Sequence, residues 1–157
     1  MRDAARIVPF SAQYALDFRN LNLAWIREHW EPEAADFEVL DHPLDRIITP
    51  GGYIGIALQD QQVIGTCALI KHSTTHYELA KMAVAPPAKG LGIGRQLGND
   101  AIEHAKSRGA ALISLDSNRI LTPAISLYHS LGFVEIESSG SVYERANIYM
   151  EMTLTTD

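Results

Sequence analysis

The chain has 157 residues, of which 46% are hydrophobic and 20% are charged, as is typical of one folded domain over residues 1–157. Its formal charge of −6 argues against a nucleic-acid-binding protein, and no apolar run approaches the roughly 18 residues of a membrane span. With one cysteine, Cys67, and no apolar signal-peptide core at the N-terminus, the sequence predicts a cytoplasmic protein with neither nucleic-acid nor membrane partners.

The N-terminal third predicts one strand followed by two helices. Residues 5–10 form the strand, and Ser11 is a suitable N-cap for a helix that ends near residue 29. A shorter helix is predicted within residues 31–40, with Pro32 in its first turn. The apolar stripe of the first helix consists of Tyr14, Phe18, Leu21 and Trp25.

The middle of the chain predicts three consecutive antiparallel strands. They cover residues 53–58, 63–72 and 76–84, and the first of them follows a Pro-Gly-Gly turn at residues 50–52. Residues 59–62 are polar and are interpreted as a hairpin loop between the first two strands.

The C-terminal half alternates helices and strands after Pro86 and Pro87 end the third of these strands. The order of elements predicts an α/β (α+β) fold with a mixed sheet of about seven strands covered by four helices. The remaining elements are a helix from the glycine-rich segment to Gly109, a strand over 111–115, a helix capped by Thr122 with Pro123 at its first position and ended by Gly132, and strands over 133–136 and 147–154.

A glycine-rich loop, Lys-Gly-Leu-Gly-Ile-Gly at residues 89–94, lies between a strand and a helix. Glycines let backbone N–H groups turn toward an anion at close range, and the helix start adds unpaired donors and a positive dipole end. Lys89 and Arg95 add charge at the two ends of the loop. The pattern favours a pyrophosphate site over a simple tight turn.

Two common nucleotide motifs do not fit this loop. A P-loop needs Gly-Lys-Ser/Thr at its end, whereas Gly94 is followed by Arg95 and Gln96. A dinucleotide fingerprint needs a glycine at its sixth position, which is Arg95 counted from Gly90 and Leu97 counted from Gly92. A nucleotide-dependent oxidoreductase is therefore disfavoured.

Three segments together resemble the GNAT superfamily of acyl-CoA-dependent N-acetyltransferases. Residues 89–94 match the family signature Gln/Arg-x-x-Gly-x-Gly/Ala with Lys in the first place, and residues 78–84 resemble the family's fourth strand. Asn118 and residues 124–133 (Ala-Ile-Ser-Leu-Tyr-His-Ser-Leu-Gly-Phe) resemble its second cofactor motif. The resemblance is specific from about Gly52 to Phe133.

The resemblance implies a three-layer sandwich with a mostly antiparallel sheet, and acetyl-CoA as the acyl donor. The strand before the loop is expected to splay from its neighbour and to pair with the pantetheine arm through backbone groups of Met82 and Val84. The implied cofactor-binding residues are Met82, Ala83, Val84, Lys89, Gly90, Leu91, Gly92, Ile93, Gly94, Arg95, Asn118, Ser126 and Tyr128.

Acyl transfer to an amine needs a base for the amine, a donor for the oxyanion and a proton for the thiolate. The resemblance makes Tyr128 the candidate acid, Glu78 the candidate base acting through water, and the Val84 N–H the oxyanion donor. The alternatives are a core aromatic for Tyr128 and a solvated strand residue for Glu78, with the neighbouring Tyr77 and His76 as substitutes for the base. A covalent route through Cys67 is disfavoured, and no metal-ligand pattern is present, so no metal is predicted.

The acceptor site is expected between the N-terminal helices and the C-terminal strands. Glu33 and Asp36 share a helix face suited to a cationic amine, while Arg145 suits a carboxylate or pairs with a nearby acid. We predict an N-acetyltransferase acting on a small-molecule amine or an amino acid; the alternatives are a protein or peptide N-acetyltransferase and a non-catalytic CoA-binding sensor. The oligomeric state stays open, with a homodimer as one option. The candidate acceptor residues are Trp30, Glu33, Asp36, Tyr143 and Arg145.

Overall fold

The computed structural model describes residues 4–137 and 141–154. These residues form seven strands and four α-helices in the predicted order, with two short 3₁₀ turns and one π-helical turn. The elements are β1 (Arg6–Pro9), α1 (Ala15–Arg27), α2 (Ala34–Asp41), β2 (Tyr53–Gln59), β3 (Gln62–Lys71), β4 (His76–Val84), α3 (Ile93–Ser107), β5 (Leu112–Ser117), α4 (Thr122–Leu131), β6 (Val134–Ile136) and β7 (Ile148–Thr153).

The strands make one sheet in the order β1-β2-β3-β4-β5-β7-β6. Only β4 and β5 run parallel, and α3 supplies the crossover that a parallel pair requires. The other pairs are antiparallel, so the sheet is mixed and mostly antiparallel, as predicted.

Apolar residues cover both faces of the sheet and so produce three layers. One face packs against α3 and α4, and the other packs against α1 and α2. The core under α3 includes Tyr53, Cys67, Leu69, Leu79, Leu97, Ala101, Ile113, Leu115 and Phe133. The core under α1 and α2 includes Phe18, Leu23, Ile26, Leu40, Ile54, Ile56, Leu58 and Ala68. Across the residues that the structure describes, no helix combines the length and apolarity needed to cross a membrane.

Several predicted boundaries differ from the structure at helix starts. Pro32 lies before α2 rather than in its first turn, because Glu33 and Asp36 form a capping box that starts the helix at Ala34. Thr122 is the first residue of α4 and Leu121 precedes it as the N-cap. A 3₁₀ turn at Ala12–Tyr14 separates Ser11 from α1.

Gly52 is a buried point of close backbone approach between β3 and the π-helical turn Leu44–Ile48. A Cβ added to Gly52 would lie 2.4 Å from the carbonyl oxygen of Leu69 and 2.6 Å from that of Ile47. Backbone cannot yield as a side-chain tip can, so Gly52→Ala is expected to lower the free energy of unfolding by about 2–3 kcal/mol in urea denaturation. Gly109→Ala is the control, since its Cβ would meet open space and cost about 1 kcal/mol through its positive φ alone. Equal losses in the two variants would contradict the proposed clash.

Candidate active site

A cleft opens where β4 and β5 separate. The two strands pair only from His76 to Glu78 of β4, whereas β4 continues to Val84 and β5 to Ser117. Beyond Glu78 the edge of β4 that faces β5 therefore borders a cleft of about 590 Å³. The expected splay of this strand is thus present.

The glycine loop and the start of α3 form one wall of this cleft. Gly90 and Gly92 have φ of +83° and +80°, and Gly92 is the N-cap of α3. A Cβ at either glycine would meet no atom within 4 Å, so the backbone faces open space beside the helix N-terminus. The first N–H groups of a helix have no partner within it and point outward, which suits an anionic group.

Most of the predicted cofactor residues line this cleft, but three do not. Leu91 and Ser126 are exposed and lie outside the lining, and Arg95 instead donates a hydrogen bond of 2.7 Å to Ser130. Those that line it are Met82, Ala83, Val84, Lys89, Gly90, Gly92, Ile93, Gly94, Asn118 and Tyr128.

The Asn118 side chain, at the end of β5, is already hydrogen-bonded within the protein. Its amide nitrogen donates to the carbonyl oxygen of Arg145 at 2.7 Å, and its amide oxygen accepts from the N–H of Ile120 at 2.9 Å. The side chain thereby ties the segment before β7 to the cleft wall, as well as lining the cleft itself.

Tyr128 lies on α4 and lines the cleft. Its ring is fixed edge-on against Phe133, with centroids 6.2 Å apart, and burial raises the pKa of Tyr128 so that the phenol keeps its proton.

Glu78 lies at the point where the two strands part. Burial raises the pKa of its carboxyl; Asp116 raises it further, and the hydrogen bond with His72 partly opposes the shift. Because Glu78 pairs with Ser114 in the sheet, Asp116 follows on the same face two residues later. Two carboxyl groups thus line the cleft beside each other.

A buried ion cluster borders the cleft through Lys81, Tyr143 and Arg145. The Asp36 carboxylate accepts hydrogen bonds from Lys81 at 2.5 Å, from Arg145 at 2.6 and 2.7 Å, and from the Glu33 N–H at 2.8 Å. Burial acts to raise the pKa of Asp36, but the hydrogen bonds from Arg145 and Lys81 and the charge of Lys81 outweigh it and hold the pKa at about 2. The Tyr143 ring packs against both cations, with its centroid 4.5 Å from Lys81 Nζ and 4.7 Å from the Arg145 guanidinium.

This cluster corrects the expectation that Glu33 and Asp36 stand open to a cationic amine. Glu33 accepts from Arg145 at 3.1 Å, so both carboxylates already neutralise internal cations. Of the two roles considered for Arg145, the structure shows pairing with nearby acids. Trp30, Tyr143 and Arg145 do line the cleft.

Lys81 was not recognised from the sequence, although it is central to this cluster. The register of β3 and β4 shifts between Thr66 and Ala68, and Lys81 takes a φ of +51° at this bulge. The bulge lets Lys81 reach Asp36 on α2. Its carbonyl oxygen accepts from the Thr66 hydroxyl, which in turn accepts from Asn22. The one sequence signal for it, a lysine in the middle of an apolar strand, was not used.

Cys67 does not line the cleft. Cys67 is buried in the core under α3, and burial raises the pKa of its thiol. In the part of the chain that the structure describes, no three His, Cys, Asp or Glu side chains are grouped as a metal site would require.

Comparison with known proteins decides the family. The family model described as "Acetyltransferase (GNAT) family" matches residues 17–133, which include β4, the glycine loop and α4. This chain belongs to that family. An N-acetylaspartate synthetase from Rattus norvegicus is 31% identical over 91 residues, which are 57% of this chain and 30% of that protein. The chain thus spans less than a third of the length of this GNAT relative.

Solved GNAT structures share the whole fold. A GNAT-family acetyltransferase from Staphylococcus aureus Mu50 superposes with a TM-score of 0.88 at 22% identity, covering 97% of this chain and 100% of its own. A PaiA N-acetyltransferase from Thermoplasma acidophilum, solved in complex with coenzyme A, has a TM-score of 0.79 at 18% identity and covers 97% and 100%. At these identities the likeness shows the fold alone.

Proposed function

We propose that this GNAT chain transfers an acetyl group from acetyl-CoA directly to a primary amine of a small molecule or an amino acid. The observation that carries the proposal is the cleft between β4 and β5, which brings the glycine loop, Tyr128 and Glu78 together. Family membership and a family structure solved with coenzyme A support the same chemistry.

The glycine loop fits the pyrophosphate of coenzyme A. Open space above Gly90 and Gly92 and the N-terminus of α3 suit a doubly anionic group. Met82 and Val84 lie on the unpaired part of β4, where their backbone groups would hold the pantetheine arm. Bound acetyl-CoA would supply the thioester that the amine attacks.

Glu78 and Tyr128 divide the proton transfers between them. Glu78 removes a proton from the incoming ammonium through water, and its raised pKa brings it closer to the working pH. Tyr128 gives its proton to the departing thiolate, for which a protonated phenol is required. The Val84 N–H is the donor proposed for the developing oxyanion.

The carboxyls of Glu78 and Asp116 line the cleft and favour an acceptor that carries an amine. Lys81 and Arg145 also line it, but their charges are paired with Asp36 and Glu33. An amino acid carries such an amine, and the N-acetylaspartate synthetase relative supports that acceptor class. Three further expectations stay predictions: a single domain over residues 1–157, a cytoplasmic location and a homodimer.

Thermal unfolding with and without acetyl-CoA tests the cofactor half of the proposal. At a hundred times its dissociation constant, acetyl-CoA should add about 2.7 kcal/mol to the free energy of unfolding. No stabilisation at millimolar acetyl-CoA would refute the site. A thiol-release assay over amines, amino acids and peptides tests the acceptor half: turnover with peptides alone would favour the peptide acetyltransferase, and binding without turnover would favour the sensor.

Gly92→Ala is expected to weaken acetyl-CoA binding about tenfold. An alanine held at a φ of +80° costs about 1–2 kcal/mol. The free loop avoids this cost by changing conformation, whereas the loop that binds acetyl-CoA has to keep the positive φ and therefore binds more weakly. Titration calorimetry measures the loss. Gly109→Ala carries the same strain outside the cleft, at a φ of +81°, and should leave the affinity unchanged. Equal affinities for Gly92→Ala and the unchanged protein would exclude the loop from the site.

A further inference from the structure

His72 connects the carboxyl of Glu78 to bulk water. It follows β3, where its N–H donates to the carbonyl oxygen of His76 at 2.9 Å across the tight turn before β4. Its Nε2 lies 2.8 Å from Glu78 Oε1. The His72 side chain is 45% exposed, whereas that of Glu78 is only 18% exposed. The imidazole therefore touches the half-buried carboxyl with one edge and solvent with the other.

Acetylation of an ammonium releases one proton per turnover. The nitrogen loses two protons and the C–N bond forms as the C–S bond breaks; one proton ends on the thiol of coenzyme A and the other has to reach water. If Glu78 takes the second proton, it must return it to solvent before the next turnover. Because the acceptor would occupy the side of Glu78 that faces the cleft, the proton needs a route to solvent on the other side of the carboxyl.

Among residues 4–137 and 141–154, His72 is the side chain that forms a hydrogen bond with Glu78. His76 packs against His72 with ring centroids 4.9 Å apart, but its own Nε2 is bonded to Ser114 Oγ at 2.7 Å. Burial and the neighbouring His72 lower the pKa of His76, and Glu151 opposes them. The other charged or titratable groups acting on Glu78 are Asp116, Lys81 and Tyr143.

We propose that His72 is a proton-relay residue that returns the proton from Glu78 to solvent. This inference rests on the proposed function, in which Glu78 is the base. The proton crosses the Oε1–Nε2 hydrogen bond to the neutral imidazole, the imidazolium loses a proton from Nδ1 to water, and tautomer exchange with solvent restores the acceptor at Nε2. No electrons are transferred, and the balance is one proton from ammonium to water.

Two substitutions separate a relay from a hydrogen-bonding support. In His72→Ala, kcat is expected to fall about tenfold, a small part of the roughly 10²–10⁴-fold that acid–base catalysis supplies. Added imidazole should restore it in a saturable, buffer-dependent way, while KM for acetyl-CoA stays constant. His72→Gln keeps a hydrogen-bond donor for Glu78 but cannot take up and release a proton. Its kcat should therefore stay as low as that of His72→Ala. His42→Gln, an exposed histidine after α2, is the matched control and should match the unchanged protein.

A readout on the free protein tests the same contact without turnover. In NMR pH titrations the ring signals of His72 should show a step from Glu78 protonation, and Glu78→Gln should abolish that step. Absence of the step overturns the relay whether or not an acceptor is found. Full activity in His72→Ala at every imidazole concentration, or recovery in His72→Gln, overturns it while the acetyltransferase proposal stands. Failure of the unchanged protein to turn over any amine counts against the proposed function instead.

Discussion

Replacing Asp36 with alanine is expected to lower the free energy of unfolding by about 3–5 kcal/mol at neutral pH. The Asp36 side chain is fully buried and accepts four hydrogen bonds, two of them from Arg145 and one from Lys81. Without it, two buried cations are left beside each other with Glu33 as their remaining carboxylate neighbour in the cluster. Urea denaturation followed by circular dichroism measures the loss.

Asp41→Ala is the matched control on the same helix. Asp41 pairs with Arg19 at 2.7 Å, but both side chains are more than a third exposed. Exposed pairs contribute about 0–1 kcal/mol, so this variant should stay close to the unchanged protein. If the two variants were equally stable, the buried cluster would not be what holds α2 against β4.

The lowered pKa of Asp36 predicts that the folded protein loses stability at acidic pH. The pKa of Asp36 is about 2 in the folded protein against an ordinary value of 3.8. A lowered pKa stabilises the folded state above the unfolded value, and that stabilisation of about 2–3 kcal/mol is lost as the pH falls from about 4 toward 2. Asp36→Ala should lack this part of the pH dependence. An unchanged slope between pH 4 and 2 in that variant would show that other carboxyls carry it.

Replacing Tyr128 with phenylalanine is expected to lower kcat about 100-fold on whichever amine is found. The phenol is the candidate proton donor to the thiolate, and loss of one acid typically costs roughly 10²–10⁴-fold; a thiolate is a good leaving group, so the lower end applies. The ring, its contact with Phe133 and the cleft shape are kept, so affinity for acetyl-CoA should change little. A fixed-time thiol-release assay measures kcat, and titration calorimetry measures the affinity for acetyl-CoA.

Tyr149→Phe is the control for this variant. The Tyr149 hydroxyl donates a 3.3 Å hydrogen bond to the carbonyl oxygen of Ala146, and Tyr149 is not part of the cleft lining. Its kcat should equal that of the unchanged protein. A Tyr128→Phe variant with full kcat would remove the proposed acid, and one with lost acetyl-CoA affinity would make Tyr128 a binding residue instead.

Much of the cofactor side of the cleft was predictable because its determinants are local in sequence. Gly90 and Gly92 sit directly before α3, and a positive φ at a helix start depends on a few neighbouring residues. Strand and helix order followed from alternation, periodicity and turn residues for the same reason. The splay of β4 from β5 was predicted from the family resemblance, because no local sequence pattern indicates where two distant strands stop pairing.

The acceptor side was harder to predict because its contacts join distant parts of the chain. Asp36 meets Lys81 and Arg145 across separations of 45 and 109 residues, and no spacing rule links them. The bulge that turns Lys81 toward α2 is a property of the β3–β4 register. Glu78 was identifiable, but its contact with His72 depends on the turn between the two strands.

The sequence by itself thus determined the order of the elements and the glycine loop at the start of α3, because both follow from side-chain period, glycine placement and helix starts. Tertiary structure alone decided that Glu33 and Asp36 neutralise Lys81 and Arg145 rather than face an incoming amine. A charged group taken out of water binds the nearest opposite charge, and which charge is nearest is set by packing of α2 against the sheet.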